Sequence, residues 1–164
     1  MTPRPEEDVT APDGLSDTER AVRDEIVRQL SREGGIVPGD VMLRFIRGYH
    51  YETPRGQKTF EYLRRALDWR KKEGVDSFLS GNAPRDLVQS GPQFRRAWHG
   101  DVYGSLPDGQ PLFVHRLGRV DPESLLAIFS ADQIQKHYVR DMELVTMRKR
   151  ELSEQLGKMV YRHW

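Results

Sequence analysis

Pro111-Leu112-Phe113-Val114-His115-Arg116-Leu117 is the one stretch of this chain that reads convincingly as a β-strand. A Gly- and Asp-rich turn, Gly100 to Gly109, leads into it. A solitary strand is an anomaly, because its backbone N–H and C=O groups need a neighbour. Its partners must come from outside the chain or from sequence that would follow. Everything around it reads as helix, so the fold expected is mostly α with one strand region.

Downstream, Asp121-Pro122 opens a short apolar helix through Leu125, Leu126, Ile128 and Phe129. Ser130 and Gln133 form a capping box, in which each can satisfy an unpaired N–H of the next helix start. Ile134, Tyr138, Met142, Val145, Leu152, Leu156 and Met159 then recur at helical spacing. They predict one long helix running almost to Trp164, with Gly157 its only weak point.

Upstream, residues 75–93 hold prolines and glycines with little periodicity, and read as a connector with one helical turn at Arg85 to Val88. Before them, Thr53-Pro54 starts a helix with two apolar stripes, Phe60, Leu63 and Leu67 beside Tyr62, Ala66 and Trp69. Lys71 and Lys72 suit the negative end of its dipole, and Gly74 is a natural stop. Val41 to Arg47 predicts a buried two-turn helix capped by Asp40 and stopped near Gly48. Ser16 and Glu19 form another capping box, followed by Val22, Ile26, Val27 and Leu30, and Gly34-Gly35 ends that helix. Residues 1–15, rich in proline and acid, are expected to be a disordered tail.

Composition excludes several classes. Lys plus Arg number 26 against 25 Asp plus Glu, so excess positive charge for a nucleic-acid partner is lacking. With no cysteine there is no thiolate metal site, disulfide or thiol nucleophile. No run approaches the roughly 20 apolar residues of a membrane span. The N-terminus lacks the apolar run of a secretory signal, leaving the cytoplasm as the expected compartment. The five histidines show no metal-ligand spacing; a turn hydrogen bond outweighs an ion at His99 and Asp101. G-x-S-x-G, P-loop and H-E-x-x-H motifs are absent, and neither enzymatic activity nor a cofactor is expected.

Three segments, in order, resemble the CRAL-TRIO family of lipid-binding and lipid-transfer proteins. Val41-Met42-Leu43-Arg44-Phe45-Ile46-Arg47 looks like that family's "LLRFLRA" helix. Leu67-Asp68-Trp69-Arg70-Lys71-Lys72-Glu73-Gly74-Val75-Asp76 is similar to its "WRKEYGVD". Trp98-His99-Gly100-Asp101, with Asp108 to Val114 and Arg116-Leu117-Gly118, resembles its "HG.D..GRPV" turn and first strand.

The resemblance implies a CRAL-TRIO N-terminal helical module at 16–76, a connector at 77–93, and the beginning of an α/β lipid-binding domain at 94–164. It implies that the strand is the first of a sheet around an apolar cavity, and that the sheet's remainder lies beyond Trp164. On that expectation the chain is an incomplete form that by itself would not transfer lipid. The partners implied are a phospholipid or other hydrophobic small molecule and, transiently, a membrane surface. Tyr49 and Phe113 are the candidate ligand-contacting residues, and Arg44 and Arg47 are candidates for a lipid phosphate. Beside these stand plainer readings: core packing for Phe113, and carboxylate pairs for the arginines. Tyr49 stands where family members that bind phosphatidylinositol tend to carry a basic residue. Arg140, Lys136 and the run Arg148-Lys149-Arg150 read as a solvated face with i,i+4 ion pairs rather than a headgroup surface. The alternative function is a helical module that pairs with a protein through 131–163, along Tyr138, Val145, Leu152 and Met159.

Overall fold

The computed structural model describes residues 15–33, 37–49 and 55–160. Among the described residues are six α-helices: α1 (Asp17–Glu33), α2 (Gly39–Gly48), α3 (Arg55–Glu73), α4 (Arg85–Trp98), α5 (Pro122–Ile128) and α6 (Ala131–Leu156). A two-stranded sheet, β1 (Gly100–Ser105) and β2 (Pro111–His115), lies between α4 and α5. The fold is therefore mostly α with one strand region, as the patterning implied. The chain divides into two compact units, Met1–Trp69 and Arg70–Trp164. No described helix is long and apolar enough to cross a membrane.

In the first unit, Ser16 and Glu19 make the expected capping box. The Glu19 N–H donates to Ser16 Oγ at 3.2 Å and the Ser16 N–H to Glu19 Oε2 at 3.0 Å. Val22, Ile26 and Leu30 follow at intervals of four, so they share one face of α1. That face packs on Met42, Ile46 and Leu63, with Val37, Val41, Phe45, Phe60 and Leu67 around them. The expected cap Asp40 lies inside the first turn of α2; Pro38 takes the cap position without a side-chain bond. The Pro38 carbonyl accepts from Val41 and Met42 N–H groups, each at 3.1 Å, so the turn closes through backbone alone. The expected tail, apart from Leu15, the Gly34-Gly35 stop and the Thr53-Pro54 start lie outside the described residues. Leu15 itself is buried.

The second unit begins with a clasp. Arg70 donates through Nη1 and Nη2 to both oxygens of Glu143 on α6, at 2.7 and 2.9 Å, and through Nε to Asp76 at 3.1 Å. These bonds, Glu143 first, hold the guanidinium still further above its ordinary value. Gly74 ends α3 with φ +65°, and Val75 and Phe78 are buried just beyond it.

Where a connector with one turn was expected, α4 is a helix of 14 residues running through Pro92. Leu87, Gly91 and Phe94 form its buried face, and glycine at the middle position hides that periodicity from a hydropathy reading. Pro92 cannot donate to the Val88 carbonyl. Both residues are exposed, so the loss falls on the side open to water. His99 caps the helix at φ +53°, its N–H donating to the Arg95 carbonyl.

The strand is not solitary. β2 pairs antiparallel with β1, Gly100 opposite His115, Asp101 opposite Val114 and Val102 opposite Phe113. β1 occupies what reads in sequence as a turn, because Gly-Asp-Val-Tyr-Gly-Ser carries no alternation. An irregularity at 103–104, with Gly104 at φ +116°, breaks the register before Ser105 meets Pro111. β2 also stops at His115. The Arg116 N–H donates to the His99 carbonyl, and Leu117–Arg119 makes a single 3-10 turn.

Gly109 closes the hairpin at φ +90°, and a Cβ there would fall 2.2 Å from Leu156 Cδ1 of α6. Gly109→Ala should therefore cost about 1–3 kcal/mol from backbone strain, with Leu156 forced to move. Urea unfolding checks this; a variant as stable as the parent would refute the packing of the turn on α6.

α5 begins as expected, Asp121 accepting from Glu123 and Ser124 N–H groups. Ser130 and Gln133 make the second capping box. The long helix ends sooner than expected, at Leu156, because Gly157 takes the left-handed conformation at φ +61°. The chain then folds back: the Val160 N–H donates to Ser153 Oγ at 2.8 Å, and Val160 is buried.

Candidate ligand-binding site

Phe113 sits at the centre of β2, half-buried, on the strand face shared with Pro111 and His115. His115 holds that face to α4: its Nε2 lies 2.8 Å from the Trp98 carbonyl, and its ring lies 4.5 Å from the indole. Gly100 opposite has no side chain, and its missing Cβ would stand 3.1 Å from Phe113 Cζ and 3.3 Å from Trp98. Aromatic rings thus close directly over the start of β1. Leu112 and Val114 occupy the other face, also half-buried.

Among the described residues β2 has one strand neighbour, so its second edge carries no ladder. Later in the chain, Leu117 is 68% exposed and Leu126 61%, the two most open aliphatic side chains of the unit, with Ile128 also exposed. Leu125 and Phe129 turn inward onto Phe94, while Leu126 and Ile128 turn outward.

Beneath the hairpin lies an aromatic floor. Phe94 stacks on His137 at 4.3 Å and on Trp98 at 5.4 Å, and meets Phe129 edge-on at 5.5 Å. Burial, aided by Arg140, lowers the pKa of His137 and so favours the neutral ring. Its Nε2 lies 2.9 Å from Ser90 Oγ. That hydroxyl donates its proton to the Asp86 carbonyl, so it accepts from the imidazole N–H. A serine that accepts from its histidine is not an activated nucleophile. The pair is a structural tie. No group of three His, Cys, Asp or Glu side chains gathers around a metal-sized space among the described residues.

The other three candidates lie in the first unit. The Tyr49 ring stacks on Tyr62 at 4.3 Å, nearly parallel, and more distantly on Phe45. Arg47 donates to both oxygens of Glu19, at 2.7 and 3.2 Å. The capping carboxylate of α1 therefore also anchors α2, a double role that its place in the capping box does not disclose. Arg44 reaches the Asp40 carboxylate at 3.7 Å and the Asp40 carbonyl at 3.4 Å. Each arginine has a carboxylate partner within its own unit.

On α6, Lys136 pairs with Asp132 and Arg148 with Glu151, as a solvated helix face would have it. Lys149 is buried, however, and Arg140 turns toward α4. Neither position was legible as interior from its charge.

No family model matches the chain. It is similar to phosphatidylinositol/phosphatidylcholine transfer protein SFH9 of Arabidopsis thaliana, with 24% identity over 62% of this chain and 16% of that protein. The protein real-time of Anopheles gambiae is 28% identical over 73% of this chain and 16% of its own length. The Sec14 cytosolic factor of Schizosaccharomyces pombe is 24% identical over 84% of this chain and 46% of that protein. The chain thus spans between about a sixth and a half of these relatives. The curated homologues of this chain are Sec14/CRAL-TRIO family proteins, matched at low identity and over part of their length, in agreement with its three motifs.

Proposed function

We propose that the chain binds a phospholipid or another hydrophobic ligand and serves its transfer between membranes, with β2 and the aliphatic residues after it as the surface that meets the ligand. The observation carrying this reading is β2 itself: an apolar strand with a single ladder partner among the described residues, followed in sequence by open leucines, in a chain similar to phospholipid transfer proteins. Enclosure would be the mechanism. Each methylene moved from water to an apolar wall contributes about 0.8 kcal/mol, so a few acyl carbons suffice for measurable binding.

In this reading Phe113 and Tyr49 offer ring surface to the ligand. Arg44 and Arg47 hold carboxylates, so a phosphate would have to displace Asp40 or Glu19. The long Arg44 pair would give way first. Transient contact with a membrane surface from the cytoplasm belongs to the same proposal.

The alternative, pairing with a protein through the last helix, has less support. Val145 and Leu152 of its seam are buried within the chain, and Met159 lies past the helix end.

Titration with dihexanoyl phosphatidylcholine below its micelle concentration tests the proposal. Saturable amide shifts from Leu112 to Leu117 are expected. Shifts confined to Tyr138 and the exposed face of α6, or none at all, would count against it.

A further inference from the structure

At the crossing of α4 and α6 two guanidinium groups face one backbone notch. Gly91 is buried there, and a Cβ built on it would stand 3.8 Å from Nη1 of Arg95 and 3.8 Å from Nη1 of Arg140. The two Nη1 atoms therefore lie no farther apart than twice that distance. Among the described residues neither guanidinium has a hydrogen bond or an ion pair, and Arg140 Nε is buried without a partner. Elsewhere in the unit Arg70 is neutralised by Glu143 and Asp76, and Arg148 by Glu151. Asp86 on α4, Asp101 on β1 and Asp141 on α6 share the neighbourhood, and none forms an ion pair with either arginine.

Like charges brought together repel, and with Arg95 exposed and Arg140 half-buried the pair is open to an anion from solvent. Guanidinium forks match the oxygens of a phosphate, and here two of them flank one glycine, which has no side chain to stand between them. The Ser90 hydroxyl, next to Gly91 in sequence, is already committed to the Asp86 backbone carbonyl and to His137, so it offers neither arginine a partner. We infer that the notch at Gly91 is an anion-binding site for a phosphate group, clamped by Arg95 from α4 and Arg140 from α6.

The phosphate could belong to a lipid headgroup or to a free anion; the site chemistry is the same. The inference goes beyond the lipid-binding proposal and does not depend on it, since inorganic phosphate has no acyl chain to meet β2. Inorganic phosphate added to the full chain at low salt should shift the side-chain Nε–H resonances of Arg95 and Arg140 saturably, and leave that of Arg119 in place. Arg95→Gln and Arg140→Gln should each weaken binding at least tenfold. Gly91→Ala, which fills the notch, should weaken it too, and Asp141→Asn, which removes a competing carboxylate, should tighten it.

Dihexanoyl phosphatidic acid then separates the sources. Binding at least tenfold tighter than inorganic phosphate assigns the site to a headgroup, and equal binding assigns it to a free anion; both uphold it. Absence of shifts at both arginines in the unsubstituted protein overturns the inference, whatever the variants do. So does binding that both glutamine variants leave unchanged.

Discussion

Phe94→Ala is expected to destabilise the second unit by about 3–5 kcal/mol, the range for emptying a buried aromatic site. The ring is 1% exposed and touches every side of its surroundings: Trp98 on its own helix, Phe129 beyond α5, His137 on α6. Three ring partners make collapse into the vacated space difficult, which favours the upper part of the range. Phe94→Leu would keep most of the volume and lose the ring contacts, for about 1–2 kcal/mol. With a urea slope of about 1–3 kcal/mol per molar, the alanine variant should shift the midpoint by more than one molar. Equal midpoints for parent and Phe94→Ala would mean that the aromatic floor beneath the hairpin is not a core.

Asp141→Asn should instead stabilise the protein at neutral pH. Burial pushes the Asp141 carboxyl up from 3.8 to about 6, with Asp101 adding to the rise and Arg140 and Arg95 opposing it. Its Oδ2 is buried without a hydrogen-bond partner, as suits a group that would rather be neutral. Because the folded pKa is the higher one, the folded chain holds the proton more tightly than the unfolded chain. Stability therefore falls as pH rises from about 4 to about 6, and the full cost remains above that window. Asparagine lacks the charge, so the variant should gain about 1–3 kcal/mol at pH 7.5, discounted for partial solvent screening, and little near pH 4. Thermal melts of both proteins between pH 4 and 7.5 check the sign. A gain that does not shrink in acid would show that Asp141 is ionised at no cost.

Three helix starts were legible because they are local chemistry, whereas Asp40 was not the cap of α2. A serine with Glu or Gln three residues later, or Asp before Pro, satisfies backbone donors that every helix start leaves open, whatever packs above it. Ser16, Asp121 and Ser130 are all used this way. α4 was not legible: Gly91 fills a buried position where a hydropathy pattern wants a side chain, and Pro92 sits beside it. β1 was not legible either, since its identity as a strand comes from the partner it meets and not from its own pattern. The end of α6 turned on one backbone angle at Gly157, while Leu156 and Met159 carried helical spacing past it. Among the candidate site residues, Phe113 could be placed on its strand, but the rings over Gly100 are a product of pairing. Arg95 and Arg140 come from elements far apart in sequence and meet only through a helix crossing, so no reading of either segment could join them.

The most direct test is photo-crosslinking with a phosphatidylcholine that carries a diazirine on one acyl chain, read out by peptide mass spectrometry. Adducts concentrated at residues 111–117 and around Leu126 are predicted. Label spread evenly over the exposed helices, with β2 unmodified, would contradict the account.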